Sequence, residues 1–112
     1  MIYLASPYSH PDKEIERQRF EDVAHVTAKI LAQGRNVFSP IVYGHTLSRY
    51  GMADTSAAAW LHWNRHMFNA CTKFNVLALE GWDNSLGCTI ELKWASDKNM
   101  LVEVLNPKDY GL

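Results

Sequence analysis

The stretch Asn75–Ala95, NVLALEGWDNSLGCTIELKWA, predicts a strand, a loop and a helix in direct succession. Asn75–Leu79 is a short apolar run bounded by turn residues, which is typical of a strand buried in a parallel sheet. Gly81–Gly87 is rich in Gly, Asp, Asn and Ser and predicts a tight loop, and Cys88–Ala95 returns to helical spacing. Because open α/β sheets bind ligands beyond the carboxyl ends of their strands, we expect this loop to border a binding site.

Glu91 stands on a face of this helix that is otherwise apolar or small. Its neighbours one turn before and one turn after are Gly87, Cys88, Trp94 and Ala95. Burial raises the pKa of an unpaired carboxyl group, whereas the free N–H groups at a helix start lower it. The sequence leaves open which effect prevails. It also leaves open whether Glu91 is a catalytic carboxylate, a simple helix cap or the partner of an arginine.

Length and composition limit the class of protein. The 112 residues predict a single domain, 1–112. A net charge of −1 argues against binding of a nucleic acid polymer, while a substrate with one phosphate remains open. Cys71 and Cys88 form neither a disulfide framework nor a metal-ligand pattern, which fits a reducing compartment. Without a signal peptide or an apolar run long enough to cross a bilayer, we expect a cytoplasmic protein with no membrane partner.

The rest of the chain alternates short apolar runs with helical patterns. A helix is predicted from Pro11 or Asp12 to a C-cap at Gly34, with acidic residues at its start and one apolar face. Apolar strands are predicted at three further places: Ile2–Ala5, Asn36–Ser39 and Met100–Leu105. Strands that alternate with helices indicate right-handed βαβ units, so we expect an α/β fold with a parallel sheet of four or five strands.

Two segments are less regular. Ile41–Ser56 has little periodicity and predicts a long functional or mobile connection. Ala57–Cys71 has helical spacing, but its apolar residues form one stripe with Trp60 and another with Phe68. A helix with two apolar sides is buried on both, and in so small a protein we expect the second side to meet another subunit in a homo-oligomer.

Several familiar sites are missing from the sequence. There is no dinucleotide-binding or P-loop glycine pattern and no serine-hydrolase elbow. His62 and His66 have a spacing that can hold a metal, but Trp63 stands where a zinc protease carries its glutamate. Two polar histidines on one helix face are the favoured interpretation, and we expect no metal.

Loop and helix residues offer candidate contacts for a small ligand. Ser85 and Gly87 precede or open a helix, the usual place for anion binding. Arg19 can hold a phosphate or a carboxylate, and a solvated arginine is the alternative. His10 and His45 either line a pocket or lie on the surface.

Aromatic residues near the predicted strand ends have two interpretations each. Tyr8 follows the first strand and is expected to face a ligand. Tyr3 lies within that strand and is expected to pack, although its hydroxyl can point into the cleft. Trp82 stacks on a flat base or covers the loop, and the sequence does not separate the two.

Three motifs fall in one order along the chain: YLASPYS at Tyr3–Ser9, FSPI at Phe38–Ile41 and GWDNSLGCTIE at Gly81–Glu91. Over most of the chain this pattern resembles the nucleoside 2-deoxyribosyltransferase-like superfamily, in particular a small branch from bacteria and phages. The resemblance implies a flavodoxin-like three-layer fold and a homo-oligomer with shared active sites. It further implies cleavage of the N-glycosidic bond of a (deoxy)nucleoside or its 5′-monophosphate, with the sugar passing to another base or to water and with no cofactor.

The resemblance also implies roles for single residues. Glu91 matches the nucleophile, and Tyr3 or Tyr8 matches an aromatic residue near it. Ser85 and Gly87 match the loop that holds the substrate, and Ser85 favours a monophosphate. The remaining substrate contacts are expected on the first loop, the first helix and the segments that follow: Ser6, Arg19, His45, Asn64 and Trp82.

One position departs from the family pattern, since Asn64 stands where an Asp is usual. An Asp can protonate the departing base and an Asn cannot, so we expect the proton from Asp83, a histidine or a neighbouring chain. The chemistry agrees with the residues, because a close carboxylate stabilises an oxocarbenium-like sugar and then traps it as an ester. A non-catalytic nucleotide-binding or sensing module is the alternative function, and a structural subunit with a vestigial pocket is the third.

Overall fold

Four parallel strands form the centre of the protein in a computed structural model that describes residues 1–52 and 56–112. They are β1 (Ile2–Ala5), β2 (Val37–Phe38), β3 (Lys73–Leu77) and β4 (Val102–Leu105). Their order across the sheet is β2-β1-β3-β4, and every neighbouring pair is parallel. This order is that of flavodoxin-like sheets. The predicted α/β class and flavodoxin-like fold are therefore confirmed, with four strands.

Four α-helices cover the sheet within the described ranges: α1 (Lys13–Ala32), α2 (Pro40–Leu47), α3 (Ala57–Asn69) and α4 (Leu86–Asp97). From β1 the chain moves through α1 to β2 on one side, and from β3 it moves through α4 to β4 on the other. Right-handed crossovers in opposite directions place their helices on opposite faces. The result is a three-layer arrangement with α1 on one face and with α3 and α4 on the other.

The pleat of β1 separates the two halves of the core. Ile2 and Leu4 pack with buried residues of α1, whereas Tyr3 and Ala5 pack with buried residues of α3 and α4. Successive strand residues point to opposite faces, so a continuous apolar run is required in a strand covered on both sides. The uninterrupted burial of β1 is thus explained by its central position.

The caps of α1 were predictable. Asp12 is the N-cap, and its side chain accepts a hydrogen bond of 2.9 Å from the Glu14 N–H. Gly34 follows the helix with a φ of +80°, a conformation that glycine adopts without strain. The predicted helix from Pro11 or Asp12 to Gly34 is confirmed within two residues at each end.

The prediction of an irregular connection over Ile41–Ser56 is wrong at its start. Pro40–Leu47 is a helix whose N-cap, Ser39, accepts a hydrogen bond of 3.2 Å from the Val42 N–H. A serine followed by a proline is a favourable helix start, because proline fits the first helical position. An irregular turn follows over Ser48–Met52, and part of the predicted connection lies outside the described residues.

Other boundaries differ by a few residues. β3 begins two residues before the predicted Asn75, since its ladder with β1 starts at the pair Ile2 and Lys73. β2 and β4 are shorter than predicted, and α4 is longer. On α3, Phe68 is fully buried, whereas Trp63 and Met67 are about two-fifths exposed. Among the helices that the structure describes, none has the length and apolar character needed to cross a bilayer.

Candidate active site

A cavity of about 850 Å³ opens at the carboxyl ends of the strands. The loops after β1 and β3 border it, at the point where the strand order reverses, which is where open α/β sheets bind ligands. One wall is mainly apolar and comes from α2, α3 and, between them, Ser48 and Met52, while the other is polar. Its lining includes Ser6, Tyr8, Arg19, Asn84, Ser85, Gly87 and Glu91.

Glu91 projects from the second turn of α4 into this cavity and is only 4% exposed. The hydroxyl of Tyr3 donates a hydrogen bond to Glu91 Oε2. The Tyr3 ring is fully buried and held between two phenylalanines, with its centroid 5.6 Å from that of Phe74 and 5.5 Å from that of Phe68. Aromatic contacts of this kind fix a ring in place. The central strand therefore positions the buried carboxyl group.

The pKa values of this pair follow from burial. Burial raises the pKa of Glu91 from its ordinary 4.5 to about 7, and the hydrogen bond from Tyr3 offsets part of the increase. Burial, followed by the charge of Glu91, raises the pKa of Tyr3 above its ordinary range, so Tyr3 keeps its proton and is the donor. Of the two opposing effects on Glu91 that the sequence left open, burial prevails. Near neutral pH the carboxyl group is therefore divided between its neutral and ionised forms.

The raised pKa of Glu91 predicts a pH-dependent stability. Between about pH 4.5 and 7 the folded protein keeps a proton that the unfolded chain releases, so this carboxyl group lowers the free energy of unfolding as the pH rises. Above about pH 7 the loss is complete and is about 3 kcal/mol. Glu91→Gln removes the titration, so we expect it to raise the urea midpoint at about pH 8 and to change it little at about pH 4.5. Equal effects at both pH values would contradict the prediction; Glu103→Gln, at an exposed position of β4, is the control.

Tyr8 and His45 form a second polar pair in the cavity. The Tyr8 hydroxyl lies 2.7 Å from His45 Nδ1, and the imidazole stacks on Phe20 with the ring centroids 3.9 Å apart. Burial and nearby Arg49 lower the pKa of His45, and burial raises the pKa of Tyr8. At neutral pH the tyrosine therefore donates to a neutral imidazole, which carries its own proton on Nε2.

Arg19 reaches the first loop and lines the cavity wall. Its guanidinium donates hydrogen bonds to the carbonyl oxygens of Tyr8, Ser9 and Glu80, at 3.3, 3.0 and 3.1 Å. A Cβ atom at Gly81, which has a φ of +86°, would come within 3.0 Å of Arg19 Nη2. Arg19 thus joins the loops after β1 and β3, and the donors it uses for this purpose are engaged before any ligand binds.

The start of α4 closes one side of the cavity. Ser85 is the N-cap, and its Oγ accepts a hydrogen bond of 3.3 Å from the Cys88 N–H. Gly87 also lines the cavity, and Asn64 faces it from α3. The structure therefore brings together eight of the predicted site residues along the cavity: Ser6, Tyr8, Arg19, His45, Asn64, Ser85, Gly87 and Glu91. Tyr3 lies directly behind Glu91.

Two predicted residues are not in the cavity lining. Trp82 and Asp83 belong to a short 3₁₀ turn, Trp82–Asn84, between β3 and α4. The Trp82 ring packs against the core on the α4 side, which corresponds to the interpretation of a residue that covers the loop. Asp83 is exposed on the turn. The turn orients Asn84, but not Asp83, toward the cavity, so Asp83 does not lie with Glu91.

Glu16 and His10 also line the cavity. The sequence marks Glu16 only as one of the acidic residues at the helix start, and it leaves His10 open between a pocket and the surface. Glu16 lines the cavity, accepts a hydrogen bond of 3.0 Å from the His10 N–H and lies 3.1 Å from Lys13 Nζ. The sequence signal for Glu16 is its position in the first turn of the helix that follows the ligand-facing loop.

The histidine pair on α3 shows no sign of a complete metal site. His62 and His66 are exposed, with ring centroids 5.1 Å apart and nearly perpendicular planes. Throughout residues 1–52 and 56–112, no three side chains of the metal-binding types are grouped as a site would require. Both imidazoles are exposed side chains of α3.

Comparison with known proteins places this fold and site in a family. The chain belongs to the family described as domain of unknown function DUF1937, which matches residues 1–106. The match includes all four strands and every residue of the candidate site. No curated protein matches the chain.

Proposed function

We propose that the protein cleaves the N-glycosidic bond of a (deoxy)nucleoside or its 5′-monophosphate, as a nucleoside 2-deoxyribosyltransferase-like enzyme. The observation that carries this proposal is the buried Glu91 carboxyl group, which lines the strand-end cavity and is held by Tyr3. A carboxylate placed by a fixed donor in a ligand-sized cavity is suited to attack on a sugar carbon. The motif resemblance, which assigns the nucleophile to the same residue, adds support.

The reaction proceeds in two displacements. In the first, an oxygen of ionised Glu91 bonds to C1′ of the sugar while the C1′–N bond breaks, and its electron pair leaves with the base. In the second, water or another base attacks C1′, the ester bond breaks and Glu91 is released as a carboxylate. The acceptor loses one proton, which replaces the proton given to the departing base. No cofactor takes part in either step.

The departing base requires a proton donor in the same cavity. Asn64 lines the cavity but carries no titratable proton, and Asp83 lies on an exposed turn. Among the described residues, the titratable side chains that share the cavity with Glu91 include His10, Glu16 and His45. His45 is neutral near pH 7 and accepts a hydrogen bond from Tyr8, so we propose that His10, Glu16 or a residue of a neighbouring chain protonates the base.

A panel assay tests the proposal. The protein is incubated with purine and pyrimidine deoxynucleosides, ribonucleosides and their 5′-monophosphates, with and without a second free base, and products are separated by chromatography. Release of free base, or formation of a new nucleoside when the second base is present, is expected for at least one substrate. Hydrolysis and transfer are distinguished by the sugar product. Complete stability of all substrates would reject the enzymatic function.

A non-catalytic nucleotide-binding module is the second candidate function. Asn64, at the position where the resemblance would place an acid, favours it, because the first step lacks its expected proton donor. Thermal shift with the same panel separates the two functions, since a sensor is stabilised by a nucleotide without turnover. The homo-oligomer with shared active sites, the small-molecule partner and the cytoplasmic location stay predictions.

A further inference from the structure

Ser6 carries a buried hydroxyl group that the protein leaves unpaired. The residue is 4% exposed, and across residues 1–52 and 56–112 Ser6 Oγ has no hydrogen-bond partner. A buried hydroxyl without a partner is unfavourable, and the great majority of such groups are satisfied. Ser39, which is equally buried, has its Oγ bound to the Val42 N–H. A ligand of the cavity is a partner that would account for the exception at Ser6.

The position of Ser6 relates it to the buried carboxyl group. It is the first residue after β1 and lines the same cavity as Glu91. Tyr3, which donates to Glu91, lies three residues earlier on the same strand, a rise of about 10 Å between the Cα atoms. Ser6 and Glu91 therefore belong to one cavity, and a single ligand bound there is adjacent to both residues.

The surroundings favour a neutral hydroxyl group over an anion as the partner. A serine hydroxyl both donates and accepts, as a sugar hydroxyl does. A phosphate placed between Ser6 and Glu91 would meet the negative charge of the ionised carboxylate. Three of the five donors of Arg19 are already used by carbonyl oxygens, and the charge of Lys13 is paired with Glu16.

We propose that Ser6 binds the 3′-hydroxyl of the substrate sugar and makes the site selective for substrates that carry it. This inference rests on the proposed function, which places C1′ at Glu91. The 3′-hydroxyl is the one sugar hydroxyl that both substrate classes share, because a 2′-deoxynucleoside lacks the 2′-hydroxyl and a monophosphate carries its phosphate on the 5′-oxygen. Ser6 is then a substrate-binding and specificity-determining residue.

The test compares a 2′-deoxynucleotide with its 2′,3′-dideoxy analogue on two serine variants. For Ser6→Ala we expect kcat/KM on the deoxynucleotide to fall by about tenfold or more and to stay within about twofold on the dideoxy analogue. Its Tm should not fall, because no protein hydrogen bond is lost. Ser39→Ala is the matched control: it should lower the Tm by about 5 °C through loss of a helix cap and leave the ratio of the two substrates unchanged.

A binding measurement distinguishes a failure of the role of Ser6 from a failure of the proposed function. Thermal shift is measured for the wild type and for Ser6→Ala with the same two ligands. A larger shift with the deoxynucleotide that Ser6→Ala removes, without any turnover, supports the role of Ser6 and rejects the enzymatic function. Turnover with equal or no loss on both substrates in Ser6→Ala rejects the role of Ser6. If neither binding nor turnover is observed, both the role of Ser6 and the enzymatic function are rejected.

Discussion

Glu91→Gln is expected to lower the rate of base release by on the order of a thousandfold or more, because it removes the proposed nucleophile. The amide has nearly the shape of the carboxyl group and still accepts a hydrogen bond from Tyr3, so the cavity and the ligand contacts are retained. It cannot form the sugar ester. The measurement is chromatographic base release under single-turnover conditions, with the best substrate of the panel.

Two controls make this result specific. Glu103→Gln removes an exposed carboxyl group on β4, outside the cavity lining, and should release base at the wild-type rate. The Glu91→Gln variant should keep a ligand-induced thermal shift, which shows that the site still binds. Base release within about tenfold of the wild type in Glu91→Gln would eliminate Glu91 as the nucleophile.

Tyr3→Phe is expected to shift the pH dependence of the reaction and so to have the second-largest effect. The Tyr3 hydrogen bond lowers the pKa of Glu91, and its loss lets burial raise that pKa further above about 7. The nucleophile must be ionised, so the rising limb of the kcat/KM profile moves to higher pH, by about one to two units. At neutral pH kcat/KM should fall by about 10- to 100-fold, with partial recovery in more alkaline buffer.

Tyr43→Phe is the control for this variant. Tyr43 lies on α2 and is half exposed, outside the cavity of Glu91, so its profile should match that of the wild type. If the rising limb of the kcat/KM profile of Tyr3→Phe is not shifted, and kcat/KM is lower by the same factor at every pH, Tyr3 acts only through packing. The shape of the profile thus separates an electrostatic role from a structural one.

Local signals determined which elements of the fold could be predicted. α1 is long and periodic, and Asp12 and Gly34 mark its ends, so its bounds followed from adjacent residues. α2 has eight residues and little periodicity, and its first residue, Pro40, is compatible both with the end of a strand and with the start of a helix. The start of β3 depends on its pairing with β1 at Ile2 and Lys73, a contact between distant residues that an apolar run does not reveal.

The site shows the same division between local and long-range information. The inward position of Glu91 followed from its neighbours on one helix. Its hydrogen-bond donor, Tyr3, is 88 residues away in the sequence. The strand pattern does not decide whether Tyr3 packs in the core or points its hydroxyl into the cleft. Asp83 and Ser85 are two residues apart, yet the 3₁₀ turn exposes the first while the second lines the cavity. Sequence spacing within a short loop does not specify such orientations.

Mass spectrometry of a trapped intermediate tests the central claim most directly. The protein is incubated with a 2′-fluorinated nucleoside, whose fluorine slows formation and breakdown of a sugar ester, and is then digested and sequenced. The proposed chemistry predicts a mass increase equal to one fluorinated sugar on the peptide that contains Glu91, located on Glu91 and absent from Glu91→Gln. Release of base with no adduct, or an adduct on another residue, would contradict it.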